Sequence, residues 1–444
     1  MLTNWIQGND WHEANVGSRV YPDYGIVHIY ALTMTLGVIL SILGCAVQFY
    51  RKKLNFRELW IAAIIVVPVG LFGASFFGKL NAENGNNAGG AGFFGLFAFW
   101  KPGMSIHGAI LGTVIVGLIM FNFVSKKSKV SIWVYADAIA PNVLLGQVIG
   151  RWGNFFNHEI FGKPVGLYED SSVMSWLPKV IRDNMAFTYS GSDTNGLING
   201  QVYVMHPIFL YESLALLLSW ILITLIIPFI GRWIGKKPWK VNPDKYQFDL
   251  KYSFRNFFTR KVEPDKKTYW EVWDEATISN FDEKQKDRYI EDVTKINNKN
   301  SIIRRFKKGK LLLDTNNPNK YMLTRCGVEF GGYFLAWNLI RFILELDRPD
   351  DHLFIMYQKT LSLTLIGLTA FSGLVIMFLA QFLLPYVFRK PGYIYEQKYF
   401  IINSVNGKKL EVKEKPIIKN QLEDLKFQKV KEKLAKQLEK KNKK

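Results

Sequence analysis

The chain has 444 residues, of which 49% are hydrophobic, and its formal net charge is +20. The mean hydropathy of +0.02 conceals two populations, long apolar runs and very polar stretches at 236–322 and 389–444. This composition excludes an ordinary soluble globular protein. The two cysteines, Cys45 and Cys326, exclude a disulfide framework and are expected to be small apolar fillers.

Seven apolar runs reach or approach the length of about 20 residues that a helix needs to cross a bilayer. The run at 326–346 differs from the others because it contains Glu329, Arg341 and Glu345. The pattern predicts an all-α polytopic membrane protein with about seven transmembrane helices. The runs are 26–50, 58–78, 103–124, 131–150, 207–234, 326–346 and 354–388.

The distribution of basic residues predicts the orientation of these helices. The short connections 51–57 and 125–131 are dense in Lys and Arg, as cytoplasmic loops are. The N-terminal stretch lacks the basic region of a cleaved signal peptide. An N-out, C-in topology follows. It places residues 1–25 outside the cytoplasm, followed by helices one to five over 26–235 with outer loops 81–103 and 151–206. A basic cytoplasmic insertion, 236–325, separates these from helices six and seven over 326–388. A Lys-rich cytoplasmic tail, 389–444, follows.

Rare polar residues of five predicted helices fall at the outer membrane face. Ionisable groups within spans usually mark a site or a pathway. Snorkelling of long side chains to water is the alternative, and it explains a single arginine better than it explains short His, Asn and Glu side chains. The pattern therefore favours a site. The residues concerned are His28, Tyr30, His107, the stretches 150–162 and 206–212, and Arg341, Glu345 and Arg348.

The stretch GRWGNFFNHEIFG, residues 150–162, has the densest polar content. If the helix continues through 150–158, Arg151, Asn154 and His158 share one face, and three aromatic residues occupy the other. In the later span, Glu345 is spaced to hold arginines one turn before and after it. Arginines from two helices form a fork suited to a phosphate. We therefore expect an anionic headgroup site.

Other site classes are not supported. HEIFG has Gly162 where a zinc protease helix needs its second histidine, and no nucleotide-binding loop or serine nucleophile motif occurs. We expect neither metal nor cofactor, and no nucleic-acid partner. The remaining chemical groups are arginines and four acid–base candidates, which are Tyr30, His107, Glu159 and Glu212.

Five stretches carry these residues in chain order: VHIYALTMTLG with Tyr30, GMSIHGAILG with His107, GRWGNFFNHEIFG with Arg151, HPIFLYESL with His206, Tyr211 and Glu212, and LIRFILELDRPD with Arg341, Glu345 and Arg348. In this order they resemble the motifs of the prolipoprotein diacylglyceryl transferase family. The resemblance covers 25–235 and 326–388, and the glycine–arginine stretch is its most specific part.

The resemblance implies transfer of the diacylglyceryl group of phosphatidylglycerol to the lipobox cysteine of a preprolipoprotein. A thioether forms and glycerol phosphate leaves. Because a free thiol has a pKa of about 8.5, a base or a positive field must favour the thiolate. The implied partners are phosphatidylglycerol, lipobox peptides and membrane lipids. The implied location is the bacterial cell membrane, with the active site at its extracytoplasmic face.

Residue roles follow from the same resemblance. His107 is the candidate base, and Arg151 and Arg341 clamp the phosphate and stabilise the departing dianion. Tyr30 and Glu159 complete the expected catalytic set. The resemblance also implies that Tyr30 contacts the lipid glycerol and that Asn154, Glu159 and Glu345 orient the arginines. Gly162 is implied as a backbone position. The implied substrate-binding residues are Arg151, Asn154, Gly162, His206, Tyr211, Glu212, Glu345 and Arg348.

The chain departs from the family pattern at three places. His158 stands where the family usually has glycine, and Trp337 stands where many members have tyrosine. An Ile-Phe pair separates Pro207 from Leu210.

The insertion and the tail lie outside the resemblance. Residues 270–296 have apolar spacing that could build a small helical module, docking a protein or anionic lipid, although a basic loop with some helix is the simpler interpretation. The tail is expected to be solvated, or else to lie on anionic lipid through a thin apolar stripe. Neither is expected to carry the chemistry. The stripe consists of Leu422, Leu425, Val430, Leu434 and Leu438.

Two other functions stay open from the residues alone. An anion or lipid transporter would use the arginines as a path, although transporters usually have repeated halves with polar residues near the midplane. A lipid-binding scaffold without catalysis is the third interpretation.

Overall fold

The computed structural model describes residues 10–80, 92–98, 106–159, 161–192, 196–259, 263, 265–277, 283–297, 300–348, 353–355, 357–396, 404–405 and 408–409. At 80, 106, 107, 110, 257, 258, 283–286, 404–405 and 408–409 it describes the backbone alone. The tail stripe and most of the loop 81–103 therefore lie outside the described residues.

The chain is mainly helical, as predicted, and its long helices coincide with the apolar runs. Among the described residues, six helical segments are long and apolar enough to cross a membrane. The helices are α1 Ile29–Arg51, α2 Phe56–Leu80, α3 Gly92–Gly95, α4 Ile106–Ser128, α5 Ile132–Ile139, α6 Val143–Phe156, α7 Lys179–Asn184, α8 Ile208–Ile221, α9 Ile227–Ile234, α10 Pro238–Val241, α11 Leu250–Thr259, α12 Tyr269–Thr277, α13 Glu283–Lys295, α14 Ser301–Asn316, α15 Val328–Glu345, α16 Lys359–Phe382 and α17 Leu384–Phe388.

The predicted polytopic membrane architecture is confirmed. The seventh predicted span is α15, whose three charged residues set it apart from the six apolar segments. Short 3-10 and π-helical turns join α5 to α6 and α8 to α9, so that each pair forms one continuous apolar segment. The count of seven spans and the N-out, C-in orientation stay predictions.

The chain divides into two compact units. The first contains 1–122, 135–228 and 327–379, and the second contains 123–134, 229–326 and 380–444. In the first unit α6 packs against α1 and α8, and α8 packs against α15. Gly37 of α1 and Gly146 of α6 bring two backbones together, because a Cβ at residue 37 would lie 2.7 Å from the carbonyl oxygen of residue 146.

The start of α15 is fixed by a buried carboxylate. Asp137 of α5 accepts hydrogen bonds from the amides of Gly327, at 2.7 Å, and Phe330, at 2.8 Å. These amides have no partner within their own helix, so the carboxylate caps α15. Glu329 in the same turn forms an ion pair with Lys52 at 2.7 Å. Both acidic groups of this apolar region thus have a partner, although Oε2 of Glu329 is buried without a hydrogen bond among the described residues.

A small antiparallel sheet in the first unit was not predicted. Its strand order is β1-β5-β6-β4, and Trp11 pairs with Tyr189 across its edge. The sheet residues share a core with Phe155 at the end of α6 and Phe209 at the start of α8. The sheet therefore fixes the helix ends near the predicted site. The strands are β1 Trp11–Glu13, β2 Asp23–Tyr24, β3 Val27–His28, β4 Pro164–Leu167, β5 Ala186–Tyr189, β6 Val202–Met205, β7 Ser404–Val405 and β8 Lys408–Lys409.

The second unit contains most of the insertion and is more structured than a basic loop. Helices α10 to α14 lie between residues 238 and 316, and α12 and α13 occupy the stretch whose apolar spacing was compatible with a helical module. Trp273 is fully buried against Tyr321 and Leu323, and a second cluster joins Tyr289 to α14. Ile394, beyond the last span, forms a parallel bridge with Val130.

A candidate headgroup site of arginines and buried carboxylates

Glu212 of α8 joins two arginines that lie far apart in the sequence. Its Oε1 lies 2.7 Å from Nη2 of Arg151, at the end of α6, and its Oε2 lies 2.9 Å from Nη2 of Arg348. The carboxylate is only 1% exposed. A carboxylate at this depth needs such partners, because an unpaired buried charge is very unfavourable.

Glu345 provides a second buried carboxylate at the end of α15. Its Oε2 lies 3.4 Å from Nε of Arg341 and 4.0 Å from Nε of Arg348. Its Oε1 accepts a hydrogen bond from the amide of Phe354, whose ring lies 6.0 Å from the Arg341 guanidinium. Glu345 thus lies within ion-pair distance of both neighbouring arginines, as its spacing suggested, and Arg348 connects the two carboxylates.

The three arginines differ in their access to a ligand. The Arg348 side chain is 4% exposed, whereas Arg151 is 15% and Arg341 is 21% exposed. The Nε of Arg151 is buried and forms no hydrogen bond within the described part of the chain. Three guanidiniums and two carboxylates leave one net positive charge in this arginine–glutamate cluster. The cluster can therefore hold one monoanion, and Arg151 and Arg341 are the arginines placed to contact it.

Tyr30 lies next to this cluster. A Cβ at Gly153 would lie 2.4 Å from Oγ1 of Thr33 and 3.0 Å from Cδ2 of Tyr30, so α1 passes directly against the turn of α6 that carries Arg151. The tyrosine ring is partly exposed and lies within electrostatic range of Arg151 and Glu159. The structure thus brings the first-span motif and the arginine motif together.

The helix through 150–158 ends earlier than predicted. Helix α6 stops at Phe156, and His158 has a φ of +52°, in the left-handed region. His158 therefore does not share a helix face with Arg151 and Asn154. Its Nδ1 lies 2.7 Å from Oε1 of Glu13, and its Nε2 lies 3.2 Å from Oδ1 of Asn184. The left-handed backbone gives a physical reason for glycine at this position in the family.

Asn154 and Glu159 bind each other. The Asn154 amide donates to Glu159 at 3.2 Å, and Asn157 donates to the same carboxylate at 3.3 Å. Among the described residues neither Asn154 nor Glu159 forms an ion pair or hydrogen bond with Arg151. Glu212 is thus the residue that binds Arg151 among the described residues, and the orientation of Arg151 by Asn154 and Glu159 stays a prediction. The aromatic side chains of this stretch, Trp152, Phe155 and Phe156, pack into the core beneath the sheet.

A second polar group lies at the start of α8. Nδ1 of His206 lies 3.3 Å from the Tyr211 hydroxyl, and the amide of Gly162 donates to the carbonyl oxygen of His206 at 2.8 Å. Lys163 pairs with Asp347 at 3.7 Å, and a Cβ at residue 162 would lie 2.4 Å from Oδ2 of Asp347. Gly162 is thus a close-approach position, consistent with its expected backbone role.

Two further sequence candidates have different outcomes. The backbone of His107 lies in the first turn of α4, but its side chain lies outside the described residues. Trp337 stacks on Tyr333 with ring centroids 5.9 Å apart, and its indole Nε1 is buried without a hydrogen-bond partner in the described part of the chain. The indole nitrogen is thus a donor where many family members have a hydroxyl.

The sequence interpretation missed three participants, Phe354, Lys163 and Asp347. Phe354 follows α15 in a loop and has no distinctive neighbours in sequence. Asp347 lies within LIRFILELDRPD, so its motif position was a usable signal. Lys163 directly follows GRWGNFFNHEIFG, and this proximity to the motif was the signal that could have identified it.

Comparison with known proteins gives a consistent result. The family model of prolipoprotein diacylglyceryl transferases matches residues 23–241. Curated proteins named phosphatidylglycerol–prolipoprotein diacylglyceryl transferase are 33% identical in Malacoplasma penetrans and 30% identical in Mycoplasmopsis pulmonis. These alignments cover 41% and 45% of this chain. The chain spans 53% of the first relative's length and 59% of the second's.

A relative from Oceanobacillus iheyensis with the same name is matched over more of its length. It is 33% identical over 257 residues, which are 57% of this chain and 80% of that protein. The family match includes α1, α4, α6 and α8, three of which carry residues of the polar site just described. Identity at this level over four fifths of a relative, together with these shared segments, means that the chain belongs to the prolipoprotein diacylglyceryl transferase family.

Proposed function

We propose that this chain transfers the diacylglyceryl group of phosphatidylglycerol to the thiol of a lipobox cysteine in preprolipoproteins. The observation that carries the proposal is the arginine–glutamate cluster, in which guanidiniums from separate helices surround two buried carboxylates. Its single net positive charge complements the single negative charge of a phosphatidylglycerol phosphodiester. Family membership supports the same reaction.

The proposed reaction is a displacement at carbon. The cysteine thiolate attacks the diacylglyceryl carbon that bears the phosphate, forming a C–S bond. The C–O bond to the phosphate breaks, and its electron pair leaves with glycerol phosphate. The leaving group carries two negative charges where the bound lipid carried one. Guanidiniums held in place before the reaction stabilise this added charge, which is where preorganised electrostatics contribute most.

The exposure of the arginines suggests their separate tasks. Arg151 and Arg341 contact the phosphate, since both keep accessible surface. Arg348 is a positioning residue that holds Glu212 and Glu345, although the sequence resemblance placed it in substrate binding. Tyr30 contacts the lipid glycerol, beside the turn that carries Arg151. His107 removes the thiol proton, a role that rests on the resemblance alone.

The remaining predicted residues fit supporting tasks. His206 and Tyr211 contact each other just before Glu212 in the chain, and we assign them a polar approach to the cluster. Glu159 stays in the proposed catalytic set as a group near Tyr30 and Arg151. We place the reaction at the extracytoplasmic face of a bacterial membrane, since the positive-inside pattern puts the ends of α6 and α15 there.

The proposal is tested with the purified full-length chain in phosphatidylglycerol nanodiscs and a lipobox peptide. Mass spectrometry should detect the peptide thioether, and a peptide with serine in place of the cysteine should gain no lipid. Arg151→Gln should lower kcat/KM by about 10² to 10³, the usual cost of losing one donor to a developing anion. Arg57→Gln removes an exposed arginine from the start of α2 and is the matched control. Absence of thioether with a folded chain would leave the transporter or scaffold alternative.

A further inference from the structure

The N-terminal part of α14 is strongly basic. Residues 301–310 read SIIRRFKKGK and hold five Lys or Arg residues without an acidic residue. Asn300 caps the helix, since its side chain accepts hydrogen bonds from the amides of residues 302 and 303. Within the described part of the chain, none of these five basic side chains forms an ion pair. The segment therefore carries a concentrated charge that no acidic side chain of the described residues neutralises.

The same segment exposes large apolar side chains. Ile302 is 69% exposed, and Ile303 and Phe306 are also exposed. These three residues fall on one side of the helix, because positions 302, 303 and 306 have the i, i+1, i+4 spacing. Arg304 and Lys308 occupy the opposite side, and Arg305 and Lys307 lie on the flanks. The C-terminal half of α14, in contrast, is buried in the second unit through Leu312 and Leu313.

Contacts of α14 place this segment beside the end of the last apolar span. The Phe306 ring stacks on Tyr386 of α17, with centroids 5.0 Å apart. A Cβ at Gly309 would lie 1.8 Å from the carbonyl oxygen of Tyr386, so the two backbones touch. Helix α17 begins two residues after α16, which ends at Phe382. Leu383 and Phe388, on either side of Tyr386, are themselves exposed.

We propose that residues 301–310 of α14, together with Leu383 and Phe388, form a binding surface for anionic phospholipid headgroups. Apolar side chains at the level where a span ends enter the headgroup region, and the basic side chains beside them attract acidic lipid. An acidic protein segment would use the charges but would leave the exposed Ile302 and Ile303 without an apolar partner. This surface is independent of the proposed transferase reaction and lies outside the residues that the family model matches.

The test measures protection of Ile302 in the full-length chain. Ile302→Cys is reconstituted in phosphatidylcholine nanodiscs with and without phosphatidylserine, an anionic lipid that is not the proposed donor. The unsubstituted chain is labelled in parallel, so that reaction of maleimide at Cys45 and Cys326 can be subtracted. Phosphatidylserine should slow labelling of residue 302 by about fivefold or more, since each basic residue near an acidic surface adds attraction.

Two controls make the result specific. Glu291→Cys lies on α13 of the same unit, where Glu291 is 65% exposed, and its labelling should not change. Arg304→Gln with Arg305→Gln in the Ile302→Cys chain, or high salt, should restore fast labelling. Equal rates with and without phosphatidylserine would overturn the proposal. Protection by polyglutamate in phosphatidylcholine nanodiscs without protection by phosphatidylserine would also overturn it and assign the surface to an acidic protein segment.

Discussion

The guanidinium of Arg348 and the carboxylate of Glu212 form a buried ion pair in which Nη2 and Oε2 are 2.9 Å apart. The two residues are separated by 136 positions in the chain. Arg348 also reaches Glu345, so this one side chain connects the start of α8 to the end of α15. The pair therefore holds α8 against the end of the helix that carries Arg341, and the other oxygen of Glu212 binds Arg151 of α6.

Arg341→Gln and Arg348→Gln should have different consequences. Arg341→Gln should lower kcat/KM by about 10² with little change in melting temperature, since the side chain keeps accessible surface. Arg348→Gln should lower the free energy of unfolding by about 3 kcal/mol, because it leaves buried carboxylates without their partner. For each variant, kinetics in nanodiscs measure kcat/KM, and thermal unfolding in detergent measures the stability. A fully stable Arg348→Gln chain that has lost activity would instead indicate that Arg348 contacts the lipid.

Glu212→Gln should destabilise the site through repulsion. The glutamine has nearly the same shape, but the arginine–glutamate cluster then carries two net positive charges. We expect a loss of about 3 kcal/mol in the free energy of unfolding, as for other broken buried pairs. Combined with Arg348→Gln, the loss should be smaller than the sum of the two single changes, because the same interaction is removed twice. Strict additivity would show that the two side chains act independently.

His158→Gly should be tolerated. Glycine adopts the left-handed backbone of this position freely, whereas a residue with a Cβ pays about 1 kcal/mol for it. The substitution also removes the contacts of His158 with Glu13 and Asn184, which partly offsets the gain. Activity within about threefold of the unsubstituted chain and a similar melting temperature are expected. His158→Ala keeps the strained backbone, loses the same contacts and should be the less stable of the two variants.

The cap on α15 predicts a structural effect at a distance from the chemistry. Asp137→Ala removes the acceptor of the Gly327 and Phe330 amides. Thermal unfolding should show a loss of about 1 to 3 kcal/mol, the usual cost of leaving buried donors unpaired. Ala138→Ser adds a hydroxyl at the next, equally buried position without touching the cap and serves as the comparison. An unaffected melting temperature in Asp137→Ala would mean that other groups satisfy these amides.

Glu396 predicts how the second unit depends on pH. Burial alone would raise the pKa of its carboxyl, but the guanidiniums of Arg389 and Arg325 hold it at about 2. A lowered pKa in the folded state contributes stability that is complete above the unfolded value of about 4.5 and is lost as pH falls toward 2. Glu396→Gln should remove this contribution, which is of the order of 3 kcal/mol.

Hydrogen exchange of α14 and α17 measures the Glu396 effect. At neutral pH the Glu396→Gln chain should exchange much faster than the unsubstituted chain, and at pH near 2 the two should converge. Comparison at the same pH cancels the intrinsic pH dependence of exchange. A constant ratio over this range would contradict the assignment to Glu396.

Sequence patterns located the helices and most of the site, and physical reasons explain both. Apolar runs of bilayer length are local signals, so α1, α2 and α8 begin within three residues of the runs at 26–50, 58–78 and 207–234. Arg341 and Glu345 could be paired from their spacing within one helix. The order of the motifs, through the family resemblance, then added residues from separate spans to the candidate site.

Long-range pairing escaped the sequence patterns. Strand β1 pairs with β5, with Trp11 opposite Tyr189. Strands of three or four residues are too short to show a clear alternation of apolar and polar residues. The partner of Arg151 is Glu212 rather than the nearby Asn154 or Glu159, which bind each other after the chain leaves the helix at the turn of His158. A left-handed residue other than glycine leaves no composition signal, so the end of α6 was placed too late.

The bridge between Val130 and Ile394 has a consequence for biosynthesis. The second unit is assembled from three stretches of chain that are separated by the rest of the protein, and one of them follows the final span. Ribosomes deliver this last stretch only after every earlier helix has been made. The unit thus completes its folding only after the last span has been made, and a chain that terminates before residue 394 would lack both the bridging residue Ile394 and Glu396, the counter-ion of Arg325 and Arg389.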